Sequence, residues 1–361
     1  MTKNLPDFPW DSLADDKALA AAHPDGIVDL SVGTPVDPVA GVVRAALSGP
    51  AADEPGYPTT HGPVSLREAI AGSLARRFGV GVAPDAVLPT IGSKELVAWL
   101  PTLLGLGAGD TVVIPELAYP TYEVGALLAG AEPVRSDSTT ALGPRRVSLL
   151  WLNSPSNPTG RVLPPEHLRK VVEWARERGA VVASDECYLS LSDGACSVLH
   201  SDVSGGSADG LLAVHSMSKS SSLAGYRAGF VTGDPALVSS LLEIRKHAGM
   251  IVPRPVQAAM EAAASDDAHV VAQAAVYARR RAVLRAALEA AGLRIEHSEA
   301  GLYLWATAGE HGRSTVRRLA QQGILVAPGE FYGPAGEQFV RVAVTATDER
   351  IEAAVTRLTQ A

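Results

Sequence analysis

The sequence predicts an α/β protein with a mostly parallel central sheet, helices on both of its faces, and a smaller α+β unit at the C-terminal end. Three observations lead there. Between about residue 85 and residue 230, short apolar runs alternate with stretches of helical periodicity, the pattern of a parallel sheet covered on both sides. Asn157, Asp185 and Lys219 each follow one of these runs, which places them together at the carboxyl edge where such sheets bind ligands. The last third of the chain changes habit, to short strands set around helices. With 361 residues the chain is long enough for two cores. The expected division is an N-terminal arm with a small-unit segment (1–32), a large ligand-binding domain (33–250) and a small C-terminal domain (251–361).

Composition narrows the function classes. Hydrophobic residues make up 47% but aromatics only 5%, so alanine, valine and leucine carry the packing. A net charge of -8 argues against a nucleic-acid partner. Two cysteines, Cys187 and Cys196, are too few for a metal cluster or a disulfide framework and suit a reducing compartment. The N-terminus MTKNLPDFPWDSL has no apolar signal region, and no uninterrupted apolar run approaches a membrane span. A cytoplasmic protein with no membrane partner is expected.

Taken in order, the arm leads to a short helix over 15–22 and a strand over 27–30, followed by SVGTP, where Gly33 offers bare backbone or simply a turn. Ser65 and Glu68 read as a capping box for a helix carrying Leu66, Ile70, Leu74 and Phe78, which Gly79 ends. Tyr57 lies in the preceding loop. A strand over 87–91 runs into GSKEL, whose helix start presents free N–H groups for an anion or for an ordinary cap. GLGAGD precedes a strand instead of following one, so it is a turn and not a dinucleotide loop. Strand 111–114 leads to Tyr119 among prolines, and strand 147–152 to NSPSNPTG, where Asn157 is held in a turn. A helix over 165–178 opens at Pro165, and Gly179 follows its end. Strand 180–184 ends in DECY, and a carboxylate there, Asp185, needs a positive charge or a helix to cap.

Strand 211–214 delivers HSMSKSSSLAGYRAGF, with Ser216, Ser218, Lys219, Gly225 and Arg227 in close succession. A lysine beside hydroxyls and an arginine suits an aldehyde cofactor with a phosphate: the amine forms a Schiff base while Ser216 and Arg227 hold the anion. A helix over 235–247 follows, then one or two long helices over 265–291, whose Arg279, Arg280, Arg281 and Arg285 read as a solvated face. Strands over 302–305, 324–326 and 339–344 and a helix over 313–321 complete the small unit. Arg341 lies within the last strand, where a charge is expensive without an internal partner or a bound carboxylate.

The pattern S-x-S-K-x5-G-x-R-x-G, with GSKEL, NPTG, DECY and VRVAV, resembles the class I/II aminotransferases, which are fold type I enzymes of pyridoxal 5′-phosphate. The resemblance runs from Gly33 to Arg341. It implies that Lys219 carries the cofactor and moves the substrate proton, and that Asp185 protonates the pyridine nitrogen, so that the ring becomes an electron sink. By the same resemblance Tyr188 and Asn157 bond the ring oxygen and Tyr119 stacks on the ring. Gly92, Ser93, Lys94, Ser216, Ser218 and Arg227 surround the phosphate. Gly33, Asn157 and Arg341 bind the substrate, Arg341 gripping its α-carboxylate. Tyr57 would reach the cofactor phosphate of a partner subunit, implying a homodimer with shared sites.

Longer stretches, FPWDSLADDKALAAAHPDGIVDLSVGTPVDP, PGYPTTHG, GSKELVAWLPTLLGLG, PELAYPTYEVGALLAGA and RKHAGMIVPRPVQAAM, are similar to the actinobacterial succinyldiaminopimelate aminotransferases of lysine biosynthesis. That implies ping-pong exchange between glutamate and N-succinyl-2-amino-6-oxopimelate, a long acidic substrate. Arg245, Lys246 and Arg254 are candidates for its far end, or ordinary ion pairs. A broad aspartate or aromatic aminotransferase would share every cofactor residue and stays as an alternative, as does a C–S β-lyase of the same fold. A regulatory module of the same fold would need a DNA-binding domain, for which residues 1–30 are too few and too weakly basic.

Overall fold

The computed structural model describes residues 5–360; the first four residues of the expected arm lie outside that range. The large unit is built on a seven-stranded sheet in the order Val87–Ile91, Ala228–Gly233, Leu211–Ser216, Val181–Asp185, Leu149–Asn153, Thr111–Ile114, Glu132–Arg135. Only Ala228–Gly233 runs antiparallel to its neighbours. The expected strand 180–184 is observed one residue further on, the expected strand 211–214 is observed two residues longer, and both end on site residues. Each central strand is buried on both faces, as a sheet sandwiched by helices requires. Alternation along Leu149–Asn153 shows it: Leu150 and Leu152 enter the core on one face, Leu149 and Trp151 the core on the other.

The small unit has a four-stranded antiparallel sheet, Ala327–Pro328, Val340–Ala343, Tyr303–Thr307 and Arg294–Glu296, and its own core. The N-terminal strand Val28–Asp29 pairs in parallel with Ile324–Leu325, so the chain's start is tied to the small unit. No helix among the described residues is long and apolar enough to cross a membrane.

Three expectations need correction. The capping box at Ser65 and Glu68 is not formed: Pro63 is the N-cap of Val64–Phe78, which places Ser65 inside the first turn, and its hydroxyl donates to Glu261 at 2.8 Å. A boundary at residue 250 would cut away the helix Arg254–Ser265 from the core it fills. Its stripe of Val256, Ala259, Met260, Ala263 and Ala264, at helical spacing, is buried in the large unit. The small unit's core first takes up the next helix, Asp267–Ala290, at Tyr277. The arginine cluster is a solvated face only at Arg279, which is exposed and pairs with Asp348. Arg280 is buried and bonds Asp37 (2.7 and 2.8 Å) and Asp348 (2.7 Å), while Arg281 and Arg285 donate to the carbonyls of Gly301, His297 and Ser298.

Candidate active site

A cavity of about 540 Å³ lies at the carboxyl edge of the large sheet, closed on its other side by the small unit and the N-terminal segment. Its floor begins with Ser216, the last residue of its strand. The Ser216 hydroxyl accepts the Ser218 N–H at 3.1 Å and so caps the short helix Met217–Ser220, turning Ser218 and Lys219 into the cavity. Ser216 pairs with Gly229 on the antiparallel strand, and Arg227 stands just before that strand at the same edge. Arg227 has φ 59°, a left-handed conformation that costs free energy for a non-glycine residue and that aims its guanidinium inward.

Gly92 makes room for that guanidinium. It has φ 71°, and a Cβ there would lie 2.3 Å from Arg227 Nη2. The helix Gly92–Leu103 starts at the same point, so its free N–H groups, the Ser93, Ser216 and Ser218 hydroxyls and Arg227 together could cradle a phosphate. Arg227 has no carboxylate within 4.0 Å among the described residues, so its charge is not already used.

Asp185 and Asn153 end neighbouring strands in register. Asp185 is 6% exposed; burial raises its pKa, against the bonds from Cys187 and Tyr122 that lower it. The Tyr122 hydroxyl donates to Asp185 Oδ2 at 2.8 Å and the Cys187 N–H to Oδ1 at 3.2 Å. A carboxyl group held this way, with no cationic partner, fits a protonated ring nitrogen. It is not acting only as a helix cap. Asn153 Nδ2 donates to the Asp185 carbonyl at 2.9 Å, and its Oδ1 accepts the Asn157 N–H at 2.7 Å, which fixes the Asn157 loop.

Lys219 sits between these groups and donates to the Gly33 carbonyl. Burial, reinforced by Arg341 and Arg227 and opposed by Cys187, pulls its pKa down to about 8. Gly33 is glycine for a reason other than open approach: a Cβ would lie 2.3 Å from the Tyr303 hydroxyl. Tyr303 and Tyr188 hydroxyls are 3.2 Å apart. Arg341 is 2% exposed and makes no salt bridge among the described residues; its Nη1 donates to Asn157 Oδ1 at 2.8 Å and its Nη2 to the Ser31 carbonyl at 2.6 Å. The guanidinium lies 4.1 Å from the Tyr303 ring centroid and 4.9 Å from that of Tyr332. A buried cation with only neutral partners is suited to a ligand carboxylate.

Of the residues expected at the site, all line this cavity except Gly92, which lies against Arg227, and Tyr57, which is 96% exposed. Tyr57 meets nothing in this chain's cavity; Arg254 donates to its carbonyl at 3.3 Å. The candidates for the substrate's far end do not reach the cavity. Arg245 is buried in a two-pronged pair with Glu95 (2.9 and 3.0 Å), Lys246 pairs with Glu243 at 2.6 Å, and Arg254 with Glu54 at 2.9 Å. Sequence reasoning missed Tyr122, Asn153, Tyr303, Trp10 and Lys17. Only Asn153 had a local signal, its spacing to Asn157 in NSPSN.

The family model for aminotransferase class I and II matches residues 25–358. A probable aminotransferase of Mycobacterium tuberculosis is 64% identical over 99% of this chain and 86% of its own length. The 4-dedimethylamino-4-oxo-anhydrotetracycline transaminase of Streptomyces rimosus is 60% identical, covering 99% of this chain and 100% of that one. An aminotransferase structure from Neisseria meningitidis superposes with a TM-score of 0.90 at 29% identity, over 99% of this chain and 97% of the other. With the cradle, the buried carboxyl and the lysine already in place, the chain belongs to the class I and II aminotransferases, fold type I enzymes whose cofactor is pyridoxal phosphate.

Proposed function

We propose that the protein exchanges amino groups between glutamate and a long acidic substrate, with N-succinyl-LL-diaminopimelate as the amino form, in lysine and diaminopimelate biosynthesis. The observation that carries this is charge. Five cations line the cavity, Lys17, Lys94, Lys219, Arg227 and Arg341, against two carboxylates, Asp29 and Asp185, in a protein of net charge -8. A cofactor phosphate meets Arg227, and the remaining cations exceed what a single α-carboxylate requires. Lys17, exposed on the N-terminal helix Ala14–Ala21, and Lys94, beside the Tyr119 and Phe8 rings, supply the charge that Arg245, Lys246 and Arg254 do not.

Bound pyridoxal phosphate supplies an electron sink for the α-carbon. The protein's residues do the rest. Arg341 takes the α-carboxylate through its guanidinium fork, with Asn157 fixing its orientation. Lys219, with its amine pulled toward neutral pH, carries the proton between the substrate α-carbon and the cofactor as base and then acid. Asp185, held by Tyr122, keeps the ring nitrogen protonated. The Tyr188 hydroxyl, whose pKa burial pushes far up, stays a donor for the ring oxygen. Tyr119 and Tyr303 keep water out. Tyr57 is offered outward to a second copy, making a homodimer with shared sites.

A second reading has one specific support, the 60% identity over the full length of a transaminase named for a tetracycline intermediate. In that reading the aromatic wall of Phe8, Trp10, Tyr119 and Tyr303 receives a polycyclic ketone instead. The half-reaction separates them. Cofactor-loaded enzyme without keto acid is mixed in turn with N-succinyl-LL-diaminopimelate, glutamate, aspartate and phenylalanine, and the visible cofactor band is followed. Fastest bleaching by N-succinyl-LL-diaminopimelate is expected. Bleaching by glutamate but not by N-succinyl-LL-diaminopimelate would overturn this substrate and favour another acceptor, while release of pyruvate would point to a β-lyase.

A further inference from the structure

Two ionisable side chains lie on the face of the large sheet turned away from the cavity, each one residue from a cavity residue. Glu186 follows Asp185, and His215 precedes Ser216; strand alternation turns both to the far side. The Glu186 N–H bonds the Val214 carbonyl at 2.8 Å, so the two strand ends are fastened at this point. Glu186 Oε1 accepts the Val198 N–H at 2.7 Å. Its Oε2 stands 3.6 Å from His215 Nε2, and neither of those two atoms has a hydrogen-bond partner among the described residues. The His215 ring is stacked on Phe230, with centroids 4.7 Å apart. A small void of about 40 Å³ adjoins the pair, touched also by Arg77, Ser216, Ser220 and Ser221. It is large enough for one bridging water.

The charges around the pair select its protonation state. Asp185 is the neighbouring carboxyl group, so ionising Glu186 would set two buried carboxylates side by side. Arg77, from helix Val64–Phe78, opposes a charged imidazole. The remaining polar groups facing Glu186, Ser184, Ser197 and the Val198 N–H, are neutral, and Cys196 is the nearby thiol. Burial accordingly pushes Glu186 up to about 7 and pulls His215 down to about 3. An ion pair here would have to give up hydration for both charges; a neutral acid beside a neutral imidazole does not.

We propose that Glu186 and His215 hold one proton between them as a neutral pair, and that this pair, behind the sheet, positions Asp185 and Ser216 against the cofactor. Glu186 and His215 are positioning residues: neither reaches the cavity in which the reaction occurs.

The test uses cofactor-loaded enzyme and needs no knowledge of the substrate. In Glu186→Gln the amide keeps a neutral donor toward Nε2, and cofactor affinity is expected to stay within about threefold of wild type. In Glu186→Ala the donor is gone, and affinity is expected to fall by about tenfold or more. Equal losses in both variants would mean that the ionised carboxylate is what matters, and an unchanged Glu186→Ala would mean that nothing is positioned; either overturns the proposal. Should Glu186→Ala fail to fold, nitrogen-15 NMR of His215 in the wild-type holoenzyme decides, with His215→Gln identifying the signal. Shifts of a neutral imidazole are expected from roughly pH 5 to 6.5, below the value to which burial pushes Glu186. An imidazolium titrating in that range overturns the neutral pair.

Discussion

The two walls of the cavity are built differently. The wall expected to hold the cofactor comes from consecutive strand ends, where residues close in sequence meet: Ser216 with Ser218, Asn153 with Asn157, Asp185 with Cys187. The wall expected to hold the substrate is assembled across the chain. Arg341 bonds Ser31, 310 residues away, and Asn157, 184 residues away. The cofactor wall thus draws mainly on the large unit. The substrate wall exists only once the N-terminal segment and the small unit have packed beside it.

Substitutions on the two walls should therefore fail differently. The largest effect belongs to the cofactor wall: Lys219→Ala should lower turnover by at least about 10⁴-fold while leaving the circular dichroism spectrum intact. Retained transamination would remove Lys219 from its role. On the substrate wall, Arg341→Lys loses the planar fork but keeps the charge. A fall of roughly 10²-fold in kcat/KM is expected, with cofactor affinity unchanged. If cofactor affinity fell in parallel, the two walls would not be separable.

Lys17→Ala sharpens the comparison within the substrate wall. KM for N-succinyl-LL-diaminopimelate should rise by about threefold to tenfold, and KM for glutamate should not move. A common change in both would assign Lys17 to folding or to the general field of the cavity. The smallest effect is one of pH. Capture of pyridoxal phosphate by cofactor-free enzyme needs the unprotonated amine of Lys219, so its rate should climb with pH and level off above about 8. An amine still titrating toward 10.5 would show that burial does not act on Lys219 as described.

How much was legible in the sequence follows the same division. Strand 111–114 was read to the residue, and the strands ending at Asp185 and Ser216 to within two, because each is a short apolar run between polar turns. That Gly92, Ser93, Ser216, Ser218 and Arg227 come together was legible because they fall in two short motifs. Arg280 was misread because its partner Asp37 lies 243 residues away, and no local pattern marks an arginine that a remote carboxylate will bury. Lys17 looked like any lysine on a surface helix, since only the packing of that helix brings it to the cavity. The capping box failed for the opposite reason: Pro63, two residues earlier, started the helix first.

Borohydride reduction of the cofactor-loaded protein, followed by peptide mass mapping, tests the site most directly. It makes the lysine–cofactor link permanent and locates it. Cofactor mass on the peptide carrying Lys219, and on no other, is the expected result. Mass on Lys94, another lysine lining the cavity, or on no peptide at all, would contradict the assignment of this cavity as the active site built around Lys219.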